Sequence, residues 1–149
     1  MIFFHDLFSN TLFLSSIAGW AVAQILKTLI NFCFTKQFQA ERLVGSGGMP
    51  SSHSSTVCAL AASAALSYGA SSFEFAITAI FAIVVMYDAI GVRRETGEQA
   101  ILINKMMDIY DNVHGMKISE EKLKELVGHT PLQVLAGALL GVAVAYALH

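Results

Sequence analysis

The sequence predicts an all-α integral membrane protein, a helical bundle of about four spanning helices with an amphipathic interfacial helix added to it. Hydrophobic residues fill 55% of the 149 positions and charged residues only 13%, against roughly 25% charged in a soluble domain. The mean hydropathy is +0.60, so lipid must supply much of the solvent. The apolar residues also fall into long runs separated by polar segments, the pattern of repeated crossings. The length suits a single domain over residues 1–149 with one site.

The first apolar run extends from about Leu12 to Phe34, and its polar residues Gln24, Lys27 and Asn31 recur at helical spacing along one stripe. It reads as a spanning helix with one wet side. No Lys or Arg precedes it, so the basic region of a secretory signal is missing and the segment is expected to be retained. Thr35 to Ser52, with Gly45-Ser46-Gly47-Gly48 and Pro50, reads as a loop that opens a new helix. Ser54 to Tyr68 is rich in Ala and Ser, and its small residues Ala61, Ala65 and Gly69 favour close backbone approach in a short or partly buried span.

Gly69 to Ser72 makes a turn into the apolar helix Phe73 to Ile90, which carries Asp88 near its end, and the two helices are expected to form an antiparallel hairpin. Gly91 to Val127 holds most of the charge. Its middle places Ile101, Leu102, Met106, Ile109 and Tyr110 on an amphipathic pattern, predicting a helix at the membrane interface, and Ser119 with Glu120, Glu121 and Lys122 predicts a short capped helix. A last apolar helix runs from about Leu132 to Leu148, where Gly137 and Gly141 form a G-x-x-x-G that favours close packing and also suits a homo-oligomer.

Four spans place the polar loops Thr35 to His53 and Gly91 to Thr130 on one side of the bilayer. All nine Lys and Arg residues lie in these loops or, for Lys27, near the matching helix end. Cationic loops prefer the cytoplasm, which predicts motif loops inside and both termini outside, in the plasma or inner membrane if the source is bacterial. A net charge of -2 with no Lys and Arg cluster interleaved with aromatics excludes a nucleic-acid partner. Cys33 and Cys58 lie in apolar segments and read as structural thiols.

Three polar constellations fall on that one side. Ser46-Gly47-Gly48-Met49-Pro50-Ser51-Ser52-His53 offers N–H and O–H donors beside a helix start, with an imidazole that titrates near neutrality. A Ser-capped helix start explains part of this but leaves the glycines and His53 unexplained. Asp88 with Arg93 and Arg94 puts an acid at the membrane edge and two guanidinium groups beyond it, suited to phosphate oxygens. The same arginines equally suit positive-inside anchors with Asp88 as their partner. His129 opens the last helix with Gln133 one turn on, able to hydrogen-bond the imidazole.

Two histidines and two arginines converging on one face suit phosphoryl transfer: one imidazole attacks phosphorus, the other protonates the leaving oxygen, and cations hold the remaining oxygens. That scheme needs no metal or other cofactor. A metal site from His53, Asp88, Glu98 and His129 is the weaker reading, because no tight ligand spacing is present.

From Gln24 and Lys27 through Gly47-Gly48-Met49-Pro50-Ser51-Ser52-His53, Asp88-Ala89-Ile90-Gly91-Val92-Arg93 and Gly97-Glu98-Gln99-Ala100 to Gly128-His129-Thr130-Pro131, the chain resembles the phosphatidic-acid phosphatase type 2 superfamily. It is most similar to the divergent branch of that superfamily, related to acid phosphatases and vanadium-dependent haloperoxidases. The resemblance implies His129 as nucleophile and His53 as acid. Three departures stand out: Gln133 falls where the superfamily has Asp, residues 123–128 hold no Arg, and Lys36 and Arg42 do not match its first basic motif.

The reading that follows is a membrane phosphatase-like protein acting on a lipid phosphate or pyrophosphate through a phosphohistidine. His129, His53 and Asp88 would be catalytic, Asp88 orienting His129 or steering Arg94. Lys27, Gly47, Gly48, Ser51, Ser52, Arg93 and Arg94 would bind phosphate, and Gln133 would orient His129. The alternatives are a lipid-phosphate binding or transport protein with weak or no catalysis, and a purely structural membrane partner.

Overall fold

The computed structural model describes residues 2–36, 48–115, 119, 122–123 and 128–149, with Arg93 as backbone only. All regular structure in it is helical: α1 (Ile2–Ser9), α2 (Thr11–Thr35), α3 (Ser52–Tyr68), α4 (Phe73–Ile90), α5 (Val92–His114) and α6 (Pro131–Leu148). α4 and α5 meet at Gly91 as one 42-residue helical run, although Gly91 itself, at φ -89° and ψ -91°, departs from helical values. Residues 37–47 of the loop expected from Thr35 to Ser52, and most of the short helix expected from Ser119, fall outside the described residues.

α2 starts where the Asn10 side chain accepts the Phe13 N–H, α3 where Ser51 caps Ser54, α4 where Ser72 caps Phe75, and α6 where Thr130 caps Gln133. Each cap satisfies a first-turn amide that has no partner within its helix. α1 is not read from the sequence, where the first apolar run extends from about Leu12: His5, Asp6, Ser9 and Asn10 interrupt the apolar pattern ahead of it.

Three helices, α2, the α4–α5 run and α6, are long and apolar enough to cross a membrane. α3, expected as a short or partly buried span, is not among them. Its 17 residues extend about 25 Å, short of a hydrocarbon core of roughly 30 Å. Serines at positions 52, 54, 55, 63 and 67 dilute its hydropathy further. α3 is instead the centre of the bundle, packed against α2, α4 and α6.

Helix directions follow from the contacts. Ser55 Oγ donates to the Gly19 carbonyl at 2.8 Å, and Lys27 Nζ reaches Ser52 Oγ at 3.5 Å, so α2 runs antiparallel to α3. Cys58 meets Met86, and Ala82 joins the cluster around Val57 and Cys58, so α4 is antiparallel as well. α6 runs parallel to α3: Gly137 lies against Ser51, Gly141 against Ser55 and Ala59, and the His149 imidazole lies 3.2 Å from Ser63 Oγ.

The interior is made of small and hydroxyl-bearing residues. Ser15, Ser51, Ser54, Ser55 and Ser63 are fully buried, while Ile80, Phe81, Leu135 and Leu139 point outward. A bundle in lipid gains nothing by hiding large apolar side chains and associates through close packing and interhelical hydrogen bonds, so this inverted distribution suits a bilayer. The stripe of Gln24 and Lys27 accordingly packs inside the bundle, Lys27 at 2% exposure, rather than forming the expected wet side.

The G-x-x-x-G of α6 is used within the chain. A Cβ at Gly137 would strike the Ser51 carbonyl and one at Gly141 the Ser55 carbonyl, so both sites demand glycine against the α3 backbone. Gly141→Ala should therefore destabilise the protein by about 1–3 kcal/mol through overpacking, read as a lower unfolding midpoint in detergent. Ala143→Val, on the exposed face of α6, should leave the midpoint unchanged.

Candidate functional site

The parallel packing of α3 and α6 brings their N-termini side by side, and the last turn of α4 closes on them. Two backbone hydrogen bonds lock this junction: Ser51 N–H donates to the Gln133 carbonyl at 3.0 Å, and His129 N–H donates to the Ala89 carbonyl at 3.1 Å. The residues just before and just inside the two helices, separated in sequence by more than seventy positions, are thereby fixed together. Each helix contributes the positive end of its dipole and its first-turn amides, so the junction favours an anion.

His53 and His129 face each other there, with ring centroids 6.1 Å apart and planes inclined at 60°. His129 is 4% exposed and His53 half-buried. That spacing lets both rings address one phosphoryl group, one from each side.

Gln133 sets the protonation of His129. Its Oε1 accepts the Thr130 N–H at 3.1 Å, and since a backbone amide only donates, this end of the side chain is its oxygen. The same Oε1 lies 3.2 Å from His129 Nδ1. A carbonyl oxygen only accepts, so Nδ1 carries the hydrogen and the neutral ring keeps its lone pair on Nε2. The Thr130 and Gln133 capping box, in which Thr130 Oγ1 in turn accepts the Gln133 N–H, holds that arrangement.

Lys27 supplies a buried ammonium from α2. Its stem is packed by Gly48, whose φ of 82° lies in the left-handed region and where an added Cβ would meet Lys27 Cγ at 3.3 Å. Ser51 and Ser52 are buried at the same helix start, but their roles differ: Ser51 Oγ accepts from the Ser54 amide and hydroxyl, whereas Ser52 Oγ is reached by Lys27.

The structure therefore brings Lys27, Gly48, Ser51, Ser52, His53, His129 and Gln133 together, with Asp88 half-buried on the last turn of α4. Arg94 is placed differently. It is exposed on α5 and its Nε donates to Glu98 Oε1 at 3.2 Å, an i,i+4 pair on the surface of a helix that packs on α4 alone among the described helices. Gly47 and the Arg93 side chain lie outside what is described. Among the described residues no group of three or more His, Cys, Asp or Glu is placed to hold a metal ion.

Two contributors were not singled out from sequence. The Ala89 carbonyl that receives His129 N–H acts through backbone and leaves no side-chain signal. Asn104, 2% exposed on α5, clamps the returning chain: its Oδ1 accepts Leu123 N–H at 3.0 Å and its Nδ2 donates to the Leu123 carbonyl at 2.9 Å. Lys122 and Asp108 pair beside it at 2.9 Å. The sequence signal for Asn104 was a polar residue in register with Gly97 and Ala100, on the side of α5 away from Leu102, Met106 and Ile109.

Gln133→Leu tests the tautomer assignment. Nitrogen-15 spectra of labelled histidine should place the His129 hydrogen on Nδ1 in the parent and show a mixed or Nε2-protonated ring in the variant. Loss of the capping box should also cost about 1 kcal/mol of stability. An unchanged His129 spectrum in the variant would contradict the assignment.

A family model described as the divergent PAP2 family matches residues 8–144. The uncharacterized membrane protein YuiD of Bacillus subtilis (strain 168) is 40% identical over 146 residues, covering 92% of each chain. No solved structure matches.

Proposed function

Because the chain belongs to the divergent PAP2 family, we propose that the junction of α3, α4 and α6 is a phosphoryl-transfer site for a lipid phosphate or pyrophosphate. The observation that carries this reading is the His53 and His129 pair, 6.1 Å apart at two converging helix N-termini beside a buried lysine.

In the proposed reaction His129 Nε2 attacks phosphorus, forming an N–P bond as the bond to the leaving oxygen breaks. His53, protonated, gives its hydrogen to that oxygen. Water then attacks phosphorus, the N–P bond breaks, and His53 takes a proton from the water, which returns both rings to their starting states. Lys27, the α3 first-turn amides and Ser52 hold the non-reacting oxygens. Asp88 balances charge at the junction.

We place this end of the bundle at the cytoplasmic surface, on the charge asymmetry of the loops. α3 counts as the fourth crossing, shielded from lipid by its three neighbours, and the apolar side of α5 lies on the membrane surface.

A second reading, binding or transport of lipid phosphate with little turnover, is favoured by Gln133. Its carbonyl orients His129 but brings no negative charge to a phosphoimidazolium ring, so the intermediate is less stabilised than with a carboxylate.

Purified protein in liposomes should release phosphate from at least one lipid phosphate or pyrophosphate, and His129→Ala and His53→Ala should each reduce release by about 100-fold or more. Gln133→Asp should raise turnover roughly tenfold, equivalent to ~1.4 kcal/mol of barrier. Full release by both alanine variants would remove the histidine mechanism. Retained lipid-phosphate binding with no release by the parent protein would move the assignment to the second reading.

A further inference from the structure

α5 begins differently from the helices around it. Side chains cap the starts of α2, α3, α4 and α6, but no side chain caps α5 at Gly91. The backbone there reads as one helix interrupted. Gly91 N–H donates to the Tyr87 carbonyl at 2.9 Å and Glu95 N–H to the Gly91 carbonyl at 3.0 Å, so the ladder of i to i+4 bonds runs up to Gly91 and resumes from it. Between those two bonds an unbroken helix would join the carbonyls of residues 88, 89 and 90 to the amides of residues 92, 93 and 94. Gly91, at φ -89° and ψ -91°, breaks that stretch, and the Ala89 carbonyl receives His129 N–H at 3.1 Å.

Ala89 is 2% exposed, so its carbonyl needs a protein partner in any arrangement of the run. Two amides are in line for it. With the run bent at Gly91 the partner is His129; with the run straight, the carbonyl points along the helix axis to the amide of residue 93. Both forms satisfy this buried acceptor, and the other groups at the break lie at the polar end of the bundle, where water can serve them. The two forms are therefore close in free energy.

α5 is long and lightly held. Its 23 residues extend about 35 Å, and among the described helices it contacts α4 alone. Asn104 keeps Leu123 on α5 in either form, since both of its amide hydrogen bonds go to that one residue. Leu102, Met106, Ile109 and Val113 leave one side of α5 apolar and exposed. α4 is long and apolar enough to cross the membrane, so a straight continuation would carry that side off the membrane surface on which it is placed above.

We infer that Gly91 is a hinge and the Ala89 carbonyl its latch: while the α4–α5 run bends, the latch holds His129 beside His53, and when α5 straightens along α4, the latch passes to the amide of residue 93 and releases His129. The seating of α5 on the membrane surface thereby controls whether the two imidazoles stay paired. What drives the hinge rests on that surface placement of α5, whereas the latch rests on the hydrogen bonds alone.

The test follows hydrogen exchange at the His129 amide by NMR, on the full chain in lipid nanodiscs. The distance between spin labels on Leu135→Cys and Val113→Cys, both exposed positions, reports the bend. The labelled protein also carries Cys33→Ala, because Cys33 is exposed and Cys58 buried. Gly91→Ala is the straightening variant: its Cβ would press on the Tyr87 carbonyl at 3.2 Å in the bent form, and Ala prefers helical backbone to Gly by about fivefold. It should shift the label distance and speed His129 exchange about tenfold, one hydrogen bond's worth. Val134 N–H, which donates to the Thr130 carbonyl at the start of α6, should keep its protection. Gly91→Pro interrupts the ladder at the same residue and should keep the parent distance and exchange. Met106→Glu with Ile109→Glu leaves Gly91 intact and takes α5 off the membrane surface, so it should act in the same direction as Gly91→Ala. Thermal unfolding checks that each variant is folded.

An unshifted distance in folded Gly91→Ala would overturn the hinge, and a shifted distance with His129 exchange as in the parent would overturn the latch. Equal acceleration in the Ala and Pro variants would also overturn the hinge, since loss of the glycine would then suffice. Exchange as in the parent in the Glu pair would overturn control by the membrane surface. None of these readouts uses phosphate, so a failure of the phosphoryl-transfer reading would leave them as they are.

Discussion

Glycine at positions 137 and 141 lets α6 lie directly on the backbone of α3, against the Ser51 and Ser55 carbonyls, and that contact decides where chemistry can occur. Helices packed this closely and in parallel bring like dipole ends together, which is unfavourable unless something negative sits at the shared N-terminus. The same contact sets Ser51 beside Gln133 and carries His53 to His129. α4 completes the junction because the Ala89 carbonyl accepts the His129 amide. Had α6 run antiparallel to α3, the two imidazoles would stand at opposite ends of the bundle.

The rest of the architecture supports this junction with weak but numerous polar contacts. In lipid, a hydroxyl that reaches a carbonyl on a neighbouring helix contributes to association where a leucine would contribute little. Ser55 reaching Gly19 ties α2 to α3, and that tie fixes the height at which Lys27 enters the site. α5 stands outside this core. It packs on α4, and Asn104 holds Leu123 against it through both ends of its amide.

The helices from α2 onward were legible in the sequence because apolar run length and capping residues are local signals. Ser51, Ser72 and Thr130 all cap where the composition changes. The convergence of His53 with His129 was also legible, since two antiparallel helices, α3 and α4, lie between them and return the chain to the same end of the bundle. The direction of the Gln24 and Lys27 stripe was not. Polar residues at helical spacing look the same whether they face water or a serine-rich neighbour, and only the packing of α3 distinguishes the two. Arg94 shows the same limit: its charge suits phosphate, yet its nearest partner is Glu98 one turn along its own helix. α3 was read as a short or partly buried span, and its burial by three neighbours explains how so many serines are tolerated there.

The account stands on the claim that the paired N-termini of α3 and α6 form one anion site between His53 and His129. A structure of the protein with bound tungstate, a heavy tetrahedral anion locatable by its anomalous scattering, tests that claim most directly. The account predicts a single strong peak between the two imidazoles, within hydrogen-bonding distance of Lys27 Nζ and the first-turn amides of α3. A well-ordered junction with no peak at saturating tungstate, or with the anion bound elsewhere and the two rings turned apart, would contradict it.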